Sequence, residues 1–158
     1  RLDYMKISPP RIADIGCGTA VLAMAAARIW PDAPEGTIEQ PVIASDIDPV
    51  AVDVARANVA GNDLGGRIAC IEASGFAHPE IAGAAPFDLV FANILKGPLV
   101  ELAPDMSRHV APHGYAILSG LLATQSADVT AAYQSAEFML VSRNEIAEWS
   151  ILVMKRNQ

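Results

Sequence analysis

Short apolar runs alternate along the chain with longer stretches of good helix formers. Short continuous apolar runs are typical of strands buried on both faces, whereas stretches of Ala, Leu and Met favour helices. The runs predict strands at Arg11–Ile15, Val42–Ser45, Arg67–Ile71, Phe87–Ala92, Tyr115–Ser119, Phe138–Val141 and Trp149–Met154. The stretches predict helices at Ala20–Ile29, from Pro49 to about Ala60, from Pro98 to about His109, and at Ser126–Ser135.

Prolines and glycines separate these elements. The segment Trp30–Pro41 carries three prolines and a glycine, which predicts a loop. Asp48 before Pro49 is a helix start signal, with Asp as the N-cap and Pro at the first helical position. The segment Gly75–Pro86 looks irregular or only briefly helical, and Pro112-His113-Gly114 predicts a turn.

The order of the elements predicts the fold class. Strands that alternate with helices imply a parallel sheet covered on both faces. The segment Ser142–Glu148 is too short for a crossover helix, so the last two strands should pair as an antiparallel hairpin. We therefore predict an α/β fold, a doubly wound, Rossmann-like, seven-stranded, mostly parallel sheet with a C-terminal antiparallel hairpin. The 158 residues match one ordinary domain.

A glycine-rich turn, Asp14–Ala20, joins the first strand to the first helix, where ligands bind in open α/β sheets. Val21 stands where a dinucleotide fingerprint needs its third glycine, so that fingerprint fails. Asp14, two positions before Gly16, would repel a pyrophosphate and suits a cationic ammonium group instead. The pattern resembles the first motif of class I methyltransferases, which use S-adenosylmethionine; a tight turn without a ligand is the alternative. We expect the cofactor to contact Asp14, Gly16, Cys17 and Gly18.

The ends of the second and third strands extend this candidate site. Asp46 lies where a carboxylate can accept hydrogen bonds from both ribose hydroxyls, and Ile47 is placed to pack on the adenine face. Ser74 or the Gly75 backbone is placed to meet the adenine amino group, and Phe76 to stack on the ring. An ordinary exit from strand to loop is the alternative for the last three.

Asn93 ends the fourth strand, at the position that faces the transferred methyl group in this fold. Methyl transfer from a sulfonium is an in-line displacement, in which the enzyme mainly positions a neutral nucleophile about 3 Å from the carbon. The Asn93 side-chain carbonyl can accept an N–H bond from an amine, and the Ile94 carbonyl can accept a second. We expect Asn93 to be the catalytic residue and to contact the cofactor; a cap at the strand end is the alternative.

Several longer segments point to one family. They are Asp14-Ile-Gly-Cys-Gly-Thr, Asp46-Ile-Asp-Pro-Val-Ala-Val, Phe87-Asp-Leu-Val-Phe-Ala-Asn-Ile-Leu, Leu102-Ala-Pro and Ile117-Leu-Ser-Gly-Leu-Leu-Ala-Thr-Gln. Over almost its whole length the chain resembles the bacterial methyltransferases of large-subunit ribosomal protein L11 (PrmA type). The resemblance implies methylation of lysine side chains and an N-terminal amine on that protein. The family's N-terminal substrate-recognition domain is missing, so we expect one methyltransferase domain at 1–158, excised from a longer protein.

Charge and composition limit the kinds of molecule that the chain is expected to bind. The net charge of −7 provides no basic footprint for nucleic acid and suits a basic ribosomal protein. No uncharged apolar run approaches the roughly 18 residues of a membrane span, and the cysteines and histidines show no metal-ligand spacing. We predict a cytoplasmic enzyme without a metal. Methylation of a small molecule or a nucleobase amine, and a noncatalytic cofactor-binding fragment, stay open as alternatives; the sequence does not indicate an oligomeric state.

Overall fold

The predicted seven-stranded sheet is present. A computed structural model describes residues 10–30 and 41–158, so residues 31–40 of the predicted Pro-rich loop lie outside the described residues. The strands are β1 Ile12–Ile15, β2 Val42–Asp46, β3 Ile68–Glu72, β4 Phe87–Asn93, β5 Val110–Leu122, β6 Phe138–Ile146 and β7 Trp149–Arg156. The helices are α1 Val21–Ile29, α2 Pro49–Gly61, α3 Pro79–Ala84, α4 Lys96–His109 and α5 Ser126–Ser135.

The strand order is β3-β2-β1-β4-β5-β7-β6. Strands β3, β2, β1, β4 and β5 pair in parallel, and β7 pairs antiparallel with both β5 and β6. All four residues of β1 are buried, because helices cover both faces of the central strands. These findings confirm the predicted fold class. No helix among the described residues is long and apolar enough to cross a bilayer.

The two faces of the sheet pack against different kinds of helix. On one face, the small side chains of Ala20, Ala23 and Ala27 pack with Ala55 of α2, which lets these helices approach the sheet closely. On the other face, larger side chains of α4 and α5 fill a core around β4, β5 and β7. This core includes Leu99, Met106, Val129, Tyr133, Leu118 and Leu152.

The predicted turn at Pro112-His113-Gly114 lies inside a strand. Strand β5 already begins at Val110, which pairs with Phe87, and pairing resumes at Tyr115 opposite Leu89. The extra residues form a bulge, with His113 at φ 64°. These residues therefore do bend the backbone as predicted, but the paired residues on either side keep the bend within strand β5.

The predicted loop Ser142–Glu148 is mostly strand. Strand β6 runs to Ile146, which pairs with Trp149, and Ala147 has the left-handed φ of 53° in the tight turn between them. An edge strand needs no apolar side chain on its solvent face, so polar side chains did not reveal it. Helix α4 likewise begins at Lys96 rather than at Pro98, because proline is tolerated in a first helical turn.

Candidate active site

A cavity of about 700 Å³ opens where the parallel strands end. We call it the donor cavity. Seven of the residues predicted from sequence line it, namely Gly16, Gly18, Asp46, Ile47, Ser74, Gly75 and Asn93. Its volume lies in the range of small-molecule sites, roughly 300–1,000 Å³.

Helix α4 supplies a wall of the donor cavity that the sequence analysis missed. Glu101 and Asp105 line the cavity together with Pro98 and Leu102. Glu101 and Asp105 are four residues apart and therefore share one helix face. That spacing, directly after the Asn93 segment, is the signal that would have identified them.

The glycine-rich turn owes its shape to backbone positions that disfavour side chains. Gly16 and Gly18 have φ values of 74° and 52°, in the left-handed region. A Cβ atom on Gly16 would overlap Cγ2 of Ile94, so the turn or the Ile94 side chain would have to shift. Gly16 therefore allows the turn to touch the segment that follows β4.

Asp14 lies beneath the turn rather than on the described cavity wall. Its carboxyl group is buried, and its Oδ2 accepts a hydrogen bond of 3.0 Å from the backbone N–H of Ala23. Its Oδ1 has no hydrogen-bond partner among the described residues. Burial, more than the nearby charge of Asp46, raises the pKa of Asp14 to about 7. The fold therefore keeps an unpartnered buried carboxyl oxygen next to the turn.

The structure does not bring Cys17 to the donor cavity. Its backbone N–H donates to the Ser45 carbonyl at 2.9 Å, and its buried thiol packs with the alanine cluster of α1 and α2. Burial, with smaller contributions from Asp14 and Asp46, raises the pKa of the thiol to about 12. Cys17 is thus a neutral packing residue, and the expected cofactor contact is not supported by its position.

Asp46 is held at the mouth of the cavity by two backbone donors. Its Oδ2 accepts from the Gly18 N–H at 2.9 Å, and its Oδ1 accepts from the Asp48 N–H at 3.0 Å. Each carboxylate oxygen keeps acceptor capacity for a further donor. Ile47 beside it is 69% exposed, so its side chain is available to a ligand. Asp48 is the predicted N-cap, since its Oδ1 accepts from the Val50 N–H at 2.9 Å.

Ser74 and Gly75 line the cavity as expected, whereas the stacking role expected for Phe76 is wrong. Phe76 is buried in the core, and its ring stacks on His109 with centroids 4.3 Å apart and planes inclined by 4°. The Phe76 ring packs against His109, the last residue of α4, and is therefore not available to a ligand in the donor cavity.

A second cleft, of about 510 Å³, shares one wall with the donor cavity. We call it the acceptor cleft. The shared wall is Asn93, Ile94 and Leu95; the rest is Ser119 and Gly120 of β5 with Trp149, Ser150 and Ile151 of β7. None of the described residues that line it carries a titratable side chain. The exposed Asn93 residue therefore lies at the boundary between the donor cavity and the acceptor cleft.

Comparisons with known proteins agree with this geometry. The sequence model of the family "Ribosomal protein L11 methyltransferase (PrmA)" matches residues 2–157. A ribosomal protein L11 methyltransferase of Bradyrhizobium diazoefficiens is 44% identical over 148 residues, which are 94% of this chain and 48% of that protein. One of Brucella suis is 47% identical over 127 residues, 80% of this chain and 42% of that protein. The chain spans about half the length of these relatives.

Solved structures give the same fold. The ribosomal protein L11 methylase of Lactobacillus delbrueckii subsp. bulgaricus superposes with a TM-score of 0.83 at 28% identity, over 99% of this chain and 74% of that one. An RNA methyltransferase of Salinibacter ruber, solved with S-adenosyl-L-homocysteine, superposes with a TM-score of 0.71 at 14% identity, over 99% and 88% of the two chains. The second likeness shows the fold alone. On the family match and the curated relatives, the chain belongs to the ribosomal protein L11 methyltransferase (PrmA) family.

Proposed function

We propose that the chain is the catalytic part of an S-adenosylmethionine-dependent methyltransferase that modifies lysine or N-terminal amines of ribosomal protein L11. The observation that carries the proposal is the shared wall at Asn93, Ile94 and Leu95. A group-transfer enzyme needs its donor and its acceptor side by side, and the two cavities meet at this wall.

The residues around the donor cavity fit S-adenosylmethionine. The unpartnered buried Oδ1 of Asp14 suits a cationic ammonium group, because only an opposite charge or a donor offsets the cost of burying a carboxylate. Asp46, already oriented by the turn, suits a ribose diol. When bound, S-adenosylmethionine supplies an activated methyl group on a sulfonium.

The acceptor cleft suits a neutral amine on an aliphatic stem. The side chains of Trp149 and Ile151 offer apolar surface to the methylene groups of a lysine. Covering of the amine by the bound substrate and cofactor would lower the pKa of its ammonium group and favour the neutral, nucleophilic amine. With no titratable side chain among the described lining residues, the enzyme receives the amine neutral and orients it through the carbonyl groups of Asn93 and Ile94.

The charge of the chain is complementary to a basic substrate. The net charge is −7, and Glu101 and Asp105 face the donor cavity. An acidic surface steers a lysine-rich protein towards the site and repels nucleic acid. This charge favours a basic protein as the acceptor over a nucleobase. A cytoplasmic location stays a prediction.

Calorimetric titration of S-adenosylmethionine into the chain tests the cofactor. We expect saturable binding that is lost in Asp46→Ala, kept in the surface control Asp53→Ala, and absent with NAD. Mass spectrometry of ribosomal protein L11 after incubation with the loaded chain then tests the acceptor. Each transfer replaces an N–H by an N–CH₃ group, so we expect the mass of a lysine or of the N-terminus to rise by about 14 Da per methyl group. Methylation of a tRNA pool but not of the protein would contradict the proposal.

A further inference from the structure

Gly120 lies at an irregular point of β5, next to the proposed transfer site. The register between β5 and β7 shifts between Leu118 and Leu121, and Gly120 has a left-handed φ of 80°. It is the central residue of the Leu-Ser-Gly-Leu-Leu motif, and it lines the acceptor cleft. Gly120 lies next to the wall shared by the two cavities, so a side chain at this position would reach the residues proposed to hold the amine.

The atoms nearest to Gly120 are those proposed to orient the amine. A Cβ atom placed on Gly120 would lie 2.8 Å from Oδ1 of Asn93, 2.8 Å from the carbonyl oxygen of Ile94 and 3.0 Å from the Ile94 nitrogen. Real Cβ atoms essentially never approach that closely, so any side chain at 120 forces Asn93 or the Ile94 peptide to move.

The two oxygens are close enough to serve one amine. Each lies 2.8 Å from the same point, so they are at most twice that distance apart. One nitrogen that donates two hydrogen bonds of about 2.9 Å along tetrahedral directions reaches both oxygens when they lie within about 4.7 Å of each other. Displacing either oxygen would therefore break the paired acceptor that aims the lone pair at the methyl group.

Ile94 is confined on its other side by the glycine-rich turn. The Cγ2 atom of Ile94 occupies the place of a Gly16 side chain. By contrast, no described heavy atom lies within 4 Å of a Cβ placed on Gly66 or Gly83. Gly114 is as crowded, with its Cβ position 2.8 Å from Cγ1 of Val110, but only at Gly120 among the described glycines are the nearest atoms those proposed to orient the amine.

We propose that Gly120 is a positioning residue for the acceptor amine, acting through the side chain of Asn93 and the carbonyl of Ile94. The inference rests on the proposed function. Gly120 itself lies outside the described wall of the donor cavity, whereas Asn93 and Ile94 belong to it, so replacing Gly120 should affect the transfer step more than cofactor binding.

Gly120→Ala tests the proposal with two readouts. The kcat for methylation of ribosomal protein L11 should fall about 100-fold, the cost of misplacing a reacting group by about 1 Å. The dissociation constant for S-adenosylmethionine should change far less than kcat, because Gly120 lies outside the described wall of the donor cavity, whereas an unspecific structural defect would weaken both. Gly66→Ala is the matched control and should leave both quantities unchanged. An unchanged kcat in Gly120→Ala would overturn the proposal.

A double variant separates this role from a general defect. If Gly120 acts through the paired acceptors, adding Gly120→Ala to Asn93→Ala should cost less than it does in the wild type, because the Asn93 acceptor is already absent and only the Ile94 carbonyl is left to displace. Losses that simply multiply would overturn the proposal. If the wild type binds the cofactor but modifies no residue of ribosomal protein L11, the proposed function fails instead.

Nuclear magnetic resonance of the unmodified chain tests the positioning without any variant. The Asn93 side-chain amide should be nearly as rigid as the backbone, with an order parameter of about 0.85. A value below about 0.6 would show that the side chain is mobile and would contradict the proposed positioning. In Gly120→Ala the amide signals should move, and in Gly66→Ala they should not.

Discussion

Replacing Asp14 with asparagine isolates the effect of its buried charge. The Asp14 carboxyl is buried, its Oδ2 accepts from the Ala23 N–H, and its Oδ1 has no partner among the described residues. Asparagine has nearly the same shape and retains a carbonyl oxygen for Ala23. The variant therefore removes the charge while preserving the packing. Any change in the free energy of unfolding that does not depend on pH cancels when the variant and the wild type are compared at two pH values.

The sign of the effect follows from the direction of the pKa shift. Burial raises the pKa of Asp14 in the folded chain from its ordinary 3.8 to about 7. Between these values the unfolded chain loses the proton and the folded chain keeps it, so the free energy of unfolding falls as the pH rises. The interval corresponds to about 4 kcal/mol. The stability of Asp14→Asn relative to wild type should therefore increase by about 4 kcal/mol between pH 4 and pH 8.

Urea unfolding at several pH values, followed by circular dichroism, measures this difference. Asp53→Asn serves as the control, because Asp53 is largely exposed in α2. A variant whose stability relative to wild type is the same at pH 4 and pH 8 would refute the reasoning. If the cofactor binds as proposed, S-adenosylmethionine should stabilise the wild type more than Asp14→Asn, because the variant lacks the carboxylate proposed to meet the ammonium group. Binding to wild type below pH 7 should release a proton, detectable by calorimetry in buffers of different ionisation enthalpy.

Three further changes test single contacts. Gly16→Ala should weaken cofactor binding at least about tenfold, because its methyl group would overlap Ile94 Cγ2 and the turn would open; calorimetry measures this, and unchanged affinity would count against the close contact. Asp48→Ala should lower the free energy of unfolding by about 1 kcal/mol through loss of the bond from Val50 N–H to the N-cap, as read from thermal melts. Tyr133→Phe should raise it by about 1 kcal/mol, since the buried hydroxyl has no partner among the described residues; a destabilised variant would reveal a missed hydrogen bond.

The sequence predicted most of the sheet and the donor side of the site. Buried parallel strands have a continuous apolar pattern, and a glycine-rich turn before a helix marks the strand end. The sequence therefore predicted Gly16 and Asp46 at positions that line the cavity. The errors have physical reasons. The Ser142–Ile146 part of β6 is an edge strand whose polar side chains do not reveal backbone pairing. Phe76 follows a site strand in sequence but turns into the core, which no local pattern indicates.

The acceptor side was only partly visible in the sequence. Asn93 was predicted from its place at the end of β4 and lines both cavities, but Trp149 was predicted only as the start of a strand and is half exposed in the cleft. The role of Gly120 depends on distances to residues 26 and 27 positions earlier (120 − 94 and 120 − 93, from the sequence numbering). Such long-range contacts follow from the pairing of β4 with β5, and they become readable only when the register is known.

The two cavities draw their separate walls from different parts of the chain. Apart from the shared Asn93–Leu95, the donor cavity is lined by residues between Ile15 and Asp105, and the acceptor cleft by residues between Ser119 and Ile151. Under the proposed function, substitutions in the C-terminal hairpin should therefore alter which amine is accepted while the lining of the donor cavity stays intact. If the cleft holds the acceptor as proposed, exchanging Trp149 and Ile151 should change acceptor preference without a compensating change at the glycine-rich turn.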